Sequence, residues 1–423
     1  MLEEILDRRN LERAVEQVTS NKGSGGIDGM QTDELRDYLN NHYQVVKSEI
    51  LEGTYKPSPV LRVEIPKQDG GTRMLGIPTV KDRLLQQSIA QWLSPKYEKQ
   101  FSKYSYGFRP KRNAHQAVKQ AQQYLQEGKT YVIELDLEKF FDKVNHDRLM
   151  TTLSRAISDR RTLKLIRSYL TSGLMEKGVV NEQTEGTPQG SPLSPLLSNI
   201  VLDELDKELE KRGHSYVRYA DDCSIYVKSE KSAKRVLTSI TKYIECSLKL
   251  KVNKTKTKIS RPTASTLLGF SFFKTKGKWE PRISEKAIKR IKLKCKTITQ
   301  RSNGKSTKEK ISQLDPIIRG WINYFAIAKA KTLMHRLDGL VRTRLRMGKW
   351  KEWKNPKTRE RNLRQLEIRK QEAKKWSYSK GFCRVAHSKV LCVTLNNGYW
   401  SKQGYTGFYQ TYHWLKEVQL SMF

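Results

Sequence analysis

The sequence predicts an α+β chain of two or three packed units, with a helical and strongly basic C-terminal part. Three observations carry this. Residues 131–273 alternate apolar strand-like runs with amphipathic stretches. From about residue 284 the apolar positions fall at helical spacing, with Lys and Arg on the other faces. The 423 residues are 37% hydrophobic and 9% aromatic. That suffices for real cores although the mean hydropathy, −0.71, is low.

In chain order, residues 1–55 read as helices around the loop Asn21-Lys22-Gly23-Ser24-Gly25-Gly26-Ile27-Asp28-Gly29. Four glycines in seven residues exclude a helix there. No Gly-Lys-Ser/Thr follows, so the loop is not a P-loop. Residues 60–77 predict a hairpin: Val60 to Ile65 alternates, Asp69-Gly70 signals a tight turn, and Thr72 to Ile77 returns. A helix follows with Leu84, Leu85, Ile89 and Leu93 on one stripe. Residues 101–112 are an aromatic and basic loop. Strands are expected at 131–137, 216–219 and 223–227, the last two flanking a tight turn, and another at 267–272. The stripe Ile288, Ile291, Cys295 and Ile298 marks a helix. Pro316 is expected to start or kink the helix that carries Gly320-Trp321-Ile322-Asn323-Tyr324-Phe325.

The formal net charge is +37, and residues 281–380 hold 30 Lys and Arg against 8 Asp and Glu. Such a balance favours a polyanionic partner through phosphate neutralisation and counterion release. An anionic membrane surface is the rival, but no run of 18 apolar residues exists and the N-terminus has no apolar signal region. The five cysteines form no CxxC pair, which argues against a zinc site or a disulfide framework and for a reducing cytoplasm.

Three carboxylates stand out against this basic background. The apolar run Tyr131-Val132-Ile133-Glu134-Leu135 ends on Asp136. Asp221 and Asp222 lie at a hairpin tip between apolar strands. A hairpin Asp-Asp alone is as readily a solvated turn. Strands that bring carboxylates together, however, would repel unless a cation lay between them. Hard Mg²⁺ takes oxygen ligands, and two ions about 3.5–4 Å apart can serve a phosphoryl transfer. Lys67 and Arg73 sit on the two sides of the 60–77 hairpin. They are either solvated cations or, facing a metal site, triphosphate contacts. Gly186-Thr187-Pro188-Gln189-Gly190 is either a plain loop and helix cap or a backbone lying close under a flat ligand. Phe140 and Phe141 leave the Asp136 strand together; Phe140 reads as core.

These strings in this order resemble the reverse transcriptases encoded by group II introns, of the compact bacterial kind. They are the 21–29 loop, Ile65-Pro66-Lys67 with Arg73 to Pro78, Tyr106-Gly107-Phe108-Arg109-Pro110 and Asp136 to Asp142. Thr187-Pro188-Gln189-Gly190, Tyr219-Ala220-Asp221-Asp222, Asn253 with Lys256-Thr257, Leu268-Gly269-Phe270 and Gly320 to Phe325 complete them. The resemblance implies a right-hand polymerase fold: an N-terminal extension (1–55), fingers (56–130), palm (131–275), thumb or maturase domain (276–350) and a DNA-binding domain (351–423). It implies an RNA-directed DNA polymerase with maturase activity in intron splicing and retrotransposition. Asp136, Asp221 and Asp222 match the catalytic metal ligands, with the Leu137 carbonyl, for two Mg²⁺ ions that Mn²⁺ can replace. Lys67, Arg73, Phe141 and Gln189 match nucleotide contacts, Phe141 being the residue that rejects a ribose 2′-hydroxyl. Gly25, Gly26, Ile27 and Arg109 match template contacts, and Lys256 a proton donor to pyrophosphate. The implied partners are intron RNA, an RNA template with a DNA primer, target DNA and dNTPs, in a bacterial cytoplasm and with no membrane. Ser191 departs from the second glycine common in relatives. Lone Cys383 and Cys392 and the end at Phe423 lead us to expect no nuclease domain.

Three rivals make different demands. A splicing factor with a degenerate polymerase would have lost metal ligands, and all three aspartates are present. Reverse transcriptases of retrons, CRISPR loci or diversity-generating elements are disfavoured by the 21–29 and 319–325 strings. An RNA-dependent RNA polymerase is disfavoured by the bulk of Phe141.

Overall fold

The computed structural model describes residues 1–66, 70–176 and 178–421. The chain divides into two compact units, Met1–Ser265 and Thr266–Phe423.

The first unit opens with α1 (Leu2–Ile5), α2 (Arg8–Ser20) and α3 (Leu35–Glu52). The glycine-rich segment lies between α2 and α3 and is irregular, as four glycines dictate. Strands β1 (Val60–Pro66) and β2 (Thr72–Ile77) pair antiparallel, with Arg62 opposite Gly76. Helix α4 (Val80–Glu98) starts where the Thr79 hydroxyl accepts the Asp82 N–H. It buries Leu84, Leu85, Ile89 and Leu93, the expected stripe. Helix α5 (Ala114–Gln126) begins in a capping box of Asn113 and Gln116. After it come β3 (Tyr131–Leu135), α6 (His146–Ser154), α7 (Arg160–Leu170) and the short strands β4 (Leu174–Glu176) and β5 (Val179–Asn181). Helix α8 (Ser194–Lys211), β6 (Ser215–Tyr219), β7 (Asp222–Val227), α9 (Glu230–Lys242) and β8 (Lys258–Ser260) complete this unit.

Its two sheets have the orders β2-β1-β4-β5 and β6-β7-β3-β8. The second sheet matters for the site. In β3, Val132, Ile133 and Leu135 are all buried, and each fully buried aliphatic side chain is worth about 1.5–3 kcal/mol. β3 lies between β7 and β8, so neither edge is open. The register pairs Leu135 with Cys223 and Tyr219 with Asp222. One step further, Asp136 stands beside Asp222.

The second unit begins with an antiparallel hairpin, β9 (Phe270–Thr275) and β10 (Lys278–Ile283). The strand expected at 267–272 and assigned to the palm therefore pairs within this unit. Helices α10 (Glu285–Ile298), α11 (Thr307–Phe325) and α12 (Lys331–Glu352) follow. Ile291 and Cys295 of the expected stripe are buried. Helix α11 starts in a capping box of Ser306 and Glu309 and runs on through Pro316. Pro316 therefore does not start it: the box satisfies the first-turn N–H groups nine residues earlier. The remaining chain forms α13 (Pro356–Gln365), α14 (Lys370–Ser377), α15 (Phe382–Ala386), α16 (Lys389–Thr394), α17 (Asn397–Lys402) and α18 (Gly407–Ser421). Among the described residues no helix is long and apolar enough to cross a membrane. All five cysteines are free thiols.

Candidate active site

The turn between β6 and β7 is Ala220-Asp221, with Ala220 at a positive φ of 56°. Such a turn needs support, and a buried cation supplies it. Arg218 of β6 is 0% exposed. Its Nε donates to Asp206 Oδ1 at 2.8 Å, and its Nη1 donates to Asn199 Oδ1 and to the Ala220 carbonyl, both at 2.9 Å. Asn199 in turn donates to the Gly107 carbonyl at 2.9 Å. Gly107 packs so closely on the turn that a Cβ there would overlap the Ala220 nitrogen. The segment before it pairs with β6: Arg218 N–H donates to Tyr104 O at 3.0 Å and Tyr106 N–H to Arg218 O at 2.9 Å. The acidic turn is thus clamped from one side by α8 and from the other by the 104–107 segment.

A cleft of about 1220 Å³ opens at this sheet end. Asp136, Leu137, Phe141, Gln189, Asp221 and Lys256 all line it. Asp222 adjoins them through the strand register. The main chain continues from Asp136 with Leu137 in a bridge to Val252. Asn253 N–H donates to Asp136 O, and Glu138 N–H to Lys251 O. In such a non-bonded pair the Leu137 carbonyl points away from the Val252 side. The Asn253 side chain accepts from Thr255 and from Lys256 N–H, which fixes the turn bearing Lys256. Lys256 Nζ stands 3.6 Å from Asp136 Oδ2.

Phe140–Asp142 form one 3₁₀ turn. Thr187 N–H donates to Phe141 O at 2.6 Å and Gly186 N–H to Val144 O at 2.7 Å, so the 186–190 loop holds this turn in place. Both rings are buried, 5.4 Å apart and near-perpendicular. The loop's other end reaches β2, where Gly76 N–H donates to Gln189 O at 2.6 Å. Ser191 turns its hydroxyl to Gln86 Oε1 at 2.7 Å and away from any ligand space.

The site carries unbalanced negative charge. Asp136 Oδ2 is buried without a hydrogen-bond partner among the described residues. Asp222 is exposed, yet the protein packed around it disfavours the charged form, and Asp221 and Asp136 add like charge. Together they push its carboxyl up to about 6, against the opposing effect of Lys256. An all-oxygen donor set with an orphaned carboxylate oxygen suits a hard divalent cation. Among the described residues no three His, Cys, Asp or Glu side chains close a cage by themselves. The fit is to an ion that keeps water and substrate oxygens in its shell, as Mg²⁺ does.

Other expected site residues fall elsewhere. Lys67 and the Arg73 side chain lie outside the described residues; Arg73 belongs to β2, whose Thr72 and Met74 line the cleft. Gly25, Gly26 and Ile27 do not line it. A Cβ on Gly26 would sit 2.5 Å from Thr79 Cα, so this loop is docked on the start of α4. Arg109 is a correction. Its side chain is 3% exposed and gripped by Glu98 at 2.7 Å and by the carbonyls of Ser102 and Ser105. Buried and with four of its five N–H donors spent on Glu98 and these carbonyls, it braces the 101–112 loop and does not face a template.

Sequence reasoning missed Arg62, a cleft-lining cation paired to Glu176 at 3.3 Å. It also missed the Arg218 clamp. The clamp had a signal: Asn199, Asp203 and Asp206 recur at helical spacing on the buried face of α8, and Arg218 interrupts an apolar strand.

A family model described as reverse transcriptase (RNA-dependent DNA polymerase) matches residues 65–272. One described as group II intron, maturase-specific domain, matches residues 288–366. Protein YkfC of Escherichia coli (strain K12) is 36% identical over 289 residues, 59% of this chain and 76% of its own length. Group II intron-encoded protein LtrA of Lactococcus lactis subsp. cremoris is 35% identical over 195 residues, 46% of this chain and 32% of LtrA. The putative COX1/OXI3 intron 1 protein of Saccharomyces cerevisiae is 27% identical over 400 residues, 81% of this chain and 46% of that protein. The chain thus spans three quarters of the first relative and less than half of the other two. Fold and site define a reverse transcriptase, an RNA-directed DNA polymerase with the right-hand fold. Its two matched domains together place the chain in the family of group II intron-encoded reverse transcriptases with a maturase domain. Dependence on a divalent metal and binding to intron RNA come with that family.

Two predictions test the clamp. Asn199→Ala should cost about 1–3 kcal/mol of stability in urea unfolding. It should also lower kcat and raise the Mg²⁺ concentration for half-maximal primer extension; a stability loss with both kinetic readouts unmoved would make Asn199 core only. Arg109→Ala should destabilise by about 2–3 kcal/mol, since it leaves Glu98 and two carbonyls without a donor. It should leave the KM for annealed template–primer unchanged, and a raised KM with intact stability would restore a template contact.

Proposed function

We propose that Asp136, Asp221 and Asp222 are the catalytic carboxylates of a two-metal nucleotidyl transfer that copies RNA into DNA. The observation that carries this is the Asp136 oxygen buried without a hydrogen-bond partner at a cleft that Asp221 also lines, with Asp222 opposite Asp136 in the strand register. Asp136 and Asp221, with the Leu137 carbonyl, would hold two Mg²⁺ ions, or Mn²⁺ in their place. When bound, these ions activate the primer 3′-hydroxyl and neutralise the triphosphate as pyrophosphate leaves. Lys67 and Arg73 bind the triphosphate, Arg73 from β2. Gln189 lies beside the incoming nucleotide, its loop held to β2. Lys256, next to Asp136, holds a proton for the departing pyrophosphate. In this reading residues 56–130 are mainly fingers, 131–275 palm, 276–350 thumb and 351–423 a DNA-binding domain, with Gly25, Gly26 and Ile27 near the template. The substrates are dNTPs on an RNA template with a DNA primer. The partners are the group II intron RNA, whose splicing the maturase domain assists, and a DNA target for retrotransposition. Five free thiols fit a bacterial cytoplasm.

Asp221→Ala should abolish primer extension and remove the rise in Tm that Mg²⁺ gives the wild type. RNA binding should persist, since it uses other surfaces. Retained extension would defeat the assignment.

Phe141 supplies the test of sugar choice. Its ring is 9% exposed, lines the cleft and is anchored through its own carbonyl to Thr187. A ribose 2′-hydroxyl forced against it would clash and lose its water, which costs roughly 1–3 kcal/mol and thus about ten- to a hundredfold in selectivity. Phe141→Ala should raise kcat/KM for CTP relative to dCTP by about that factor. Phe140→Ala should instead lower stability, because that ring is 3% exposed in the core. Unchanged discrimination by Phe141→Ala would place the gate elsewhere.

A further inference from the structure

The second unit carries a groove of about 580 Å³ between α12, α17 and α18 that the polymerase chemistry does not use. Its walls are rigid. Asp338 of α12 accepts from Tyr405 OH, Phe408 N–H and Tyr409 N–H, each at 2.8 Å, and so bolts the start of α18 to α12. Gly407 sits at a φ of 78°, and a Cβ on it would lie 2.6 Å from Asp338 Oδ1. Only glycine fits this joint.

The lining is unusual for a helix interface. His335 and Tyr409 stack at 3.9 Å and 24°, and His413 continues the row 5.7 Å from Tyr409. Trp414 beside them is 60% exposed. Arg342 faces the groove with no hydrogen bond or ion pair among the described residues. Trp400 also lines it, is 1% exposed, and its indole N–H has no acceptor among the described residues. Asn397 and Gln410 add amide heads at the rim. Of the two carboxylates present, Asp338 is consumed by its three donors and Glu417 is paired with His413 at 3.1 Å.

We propose that this groove binds one unpaired nucleotide of a single-stranded nucleic acid. The base stacks on the ring pair of His335 and Tyr409, with the exposed Trp414 beside it. The amides of Asn397 and Gln410 read its edge, and Arg342 takes the adjoining phosphate. Aromatic platforms combined with Arg are how single strands are held. An apolar peptide would leave Arg342 without a partner, whereas a nucleotide's phosphate satisfies it. The 30 Lys and Arg against 8 Asp and Glu over residues 281–380 bring such a strand to this unit. The inference rests on the chain acting on nucleic acid, and the test separates the two.

The experiment is fluorescence anisotropy with unstructured eight-nucleotide RNA and DNA probes and an abasic DNA of the same length, on the full chain at several salt concentrations. Trp414→Ala and His335→Ala should each weaken binding of the base-bearing probes by about tenfold and leave the abasic probe unchanged. Arg342→Gln should weaken all three and reduce the salt slope by about one phosphate. The RNA and DNA arms show whether the strand is RNA, DNA or either. Trp414→Ala binding every probe like wild type overturns the groove, as does equal loss of base-bearing and abasic probes. If Trp414→Ala instead dissociates a dimer in sedimentation, the groove seats a second copy and the proposal falls. If the wild type binds no probe and extends no primer, the polymerase reading itself fails.

Discussion

The two-aspartate turn of the candidate active site depends on one buried ion pair, Arg218 with Asp206. Two charges taken out of water are worth keeping only if every donor and acceptor is used. Here the guanidinium spends its remaining hydrogen bonds on Asn199 and on the carbonyl of Ala220, the residue whose positive φ makes the turn. A flexible two-aspartate turn becomes a fixed one. The pair also explains why a chain of net charge +37 does not neutralise its own acidic site. The nearest buried cation is already satisfied by Asp206, and Lys256 stops at 3.6 Å from Asp136, beyond a hydrogen bond. The carboxylates keep their mutual repulsion, which adds to the desolvation that raises Asp222 to about 6.

Around this clamp the chain is assembled by close backbone approaches. Gly107 lies on the aspartate turn, Gly186 on Asp142, and Gly190 on the Gly76 carbonyl. Each contact is tighter than a Cβ permits: the first and last join a loop to strand ends or a strand, and the Gly186 contact joins two connecting segments. The cleft walls therefore belong to two sheets but behave as one frame. Displacing the 186–190 loop would move the Phe141 turn, the Gln189 backbone and β2 together, because hydrogen bonds at 2.6 Å tie it at both ends.

How far the sequence revealed this follows from what each signal measures. Apolar alternation measures burial, so the strands at 131, 216 and 223 and the stripe on α4 were legible. Turn chemistry is local, so the 60–77 hairpin and the irregular glycine segment were legible too. Arg109 was not, because an Arg in an aromatic loop has the same sequence signature whether its donors face a phosphate or a buried Glu98. Of the two expectations for Pro316, a helix start there is excluded, because the capping box of Ser306 and Glu309 starts the helix nine residues earlier, at Thr307. The hairpin at 270–283 was half seen. Its second strand, Lys278 to Ile283, contains Pro281 and charged residues, which demote it by composition although it pairs along its whole length.

The candidate site was legible in a different way. Individual strings named the carboxylates, but proximity is a property of register, and only the pairing of Leu135 with Cys223 brings Asp136 beside Asp222. A slip of one residue would turn Asp136 to the other face of the sheet. What prevents the slip is not at the site. Val132 and Ile133 pair with Tyr226 and Ile225 on one side and with Ser260 and Ile259 on the other, and all but the β8 residues are buried. The geometry of the acidic cluster is thus set by apolar packing several residues upstream, and the Arg218 clamp holds only the final turn.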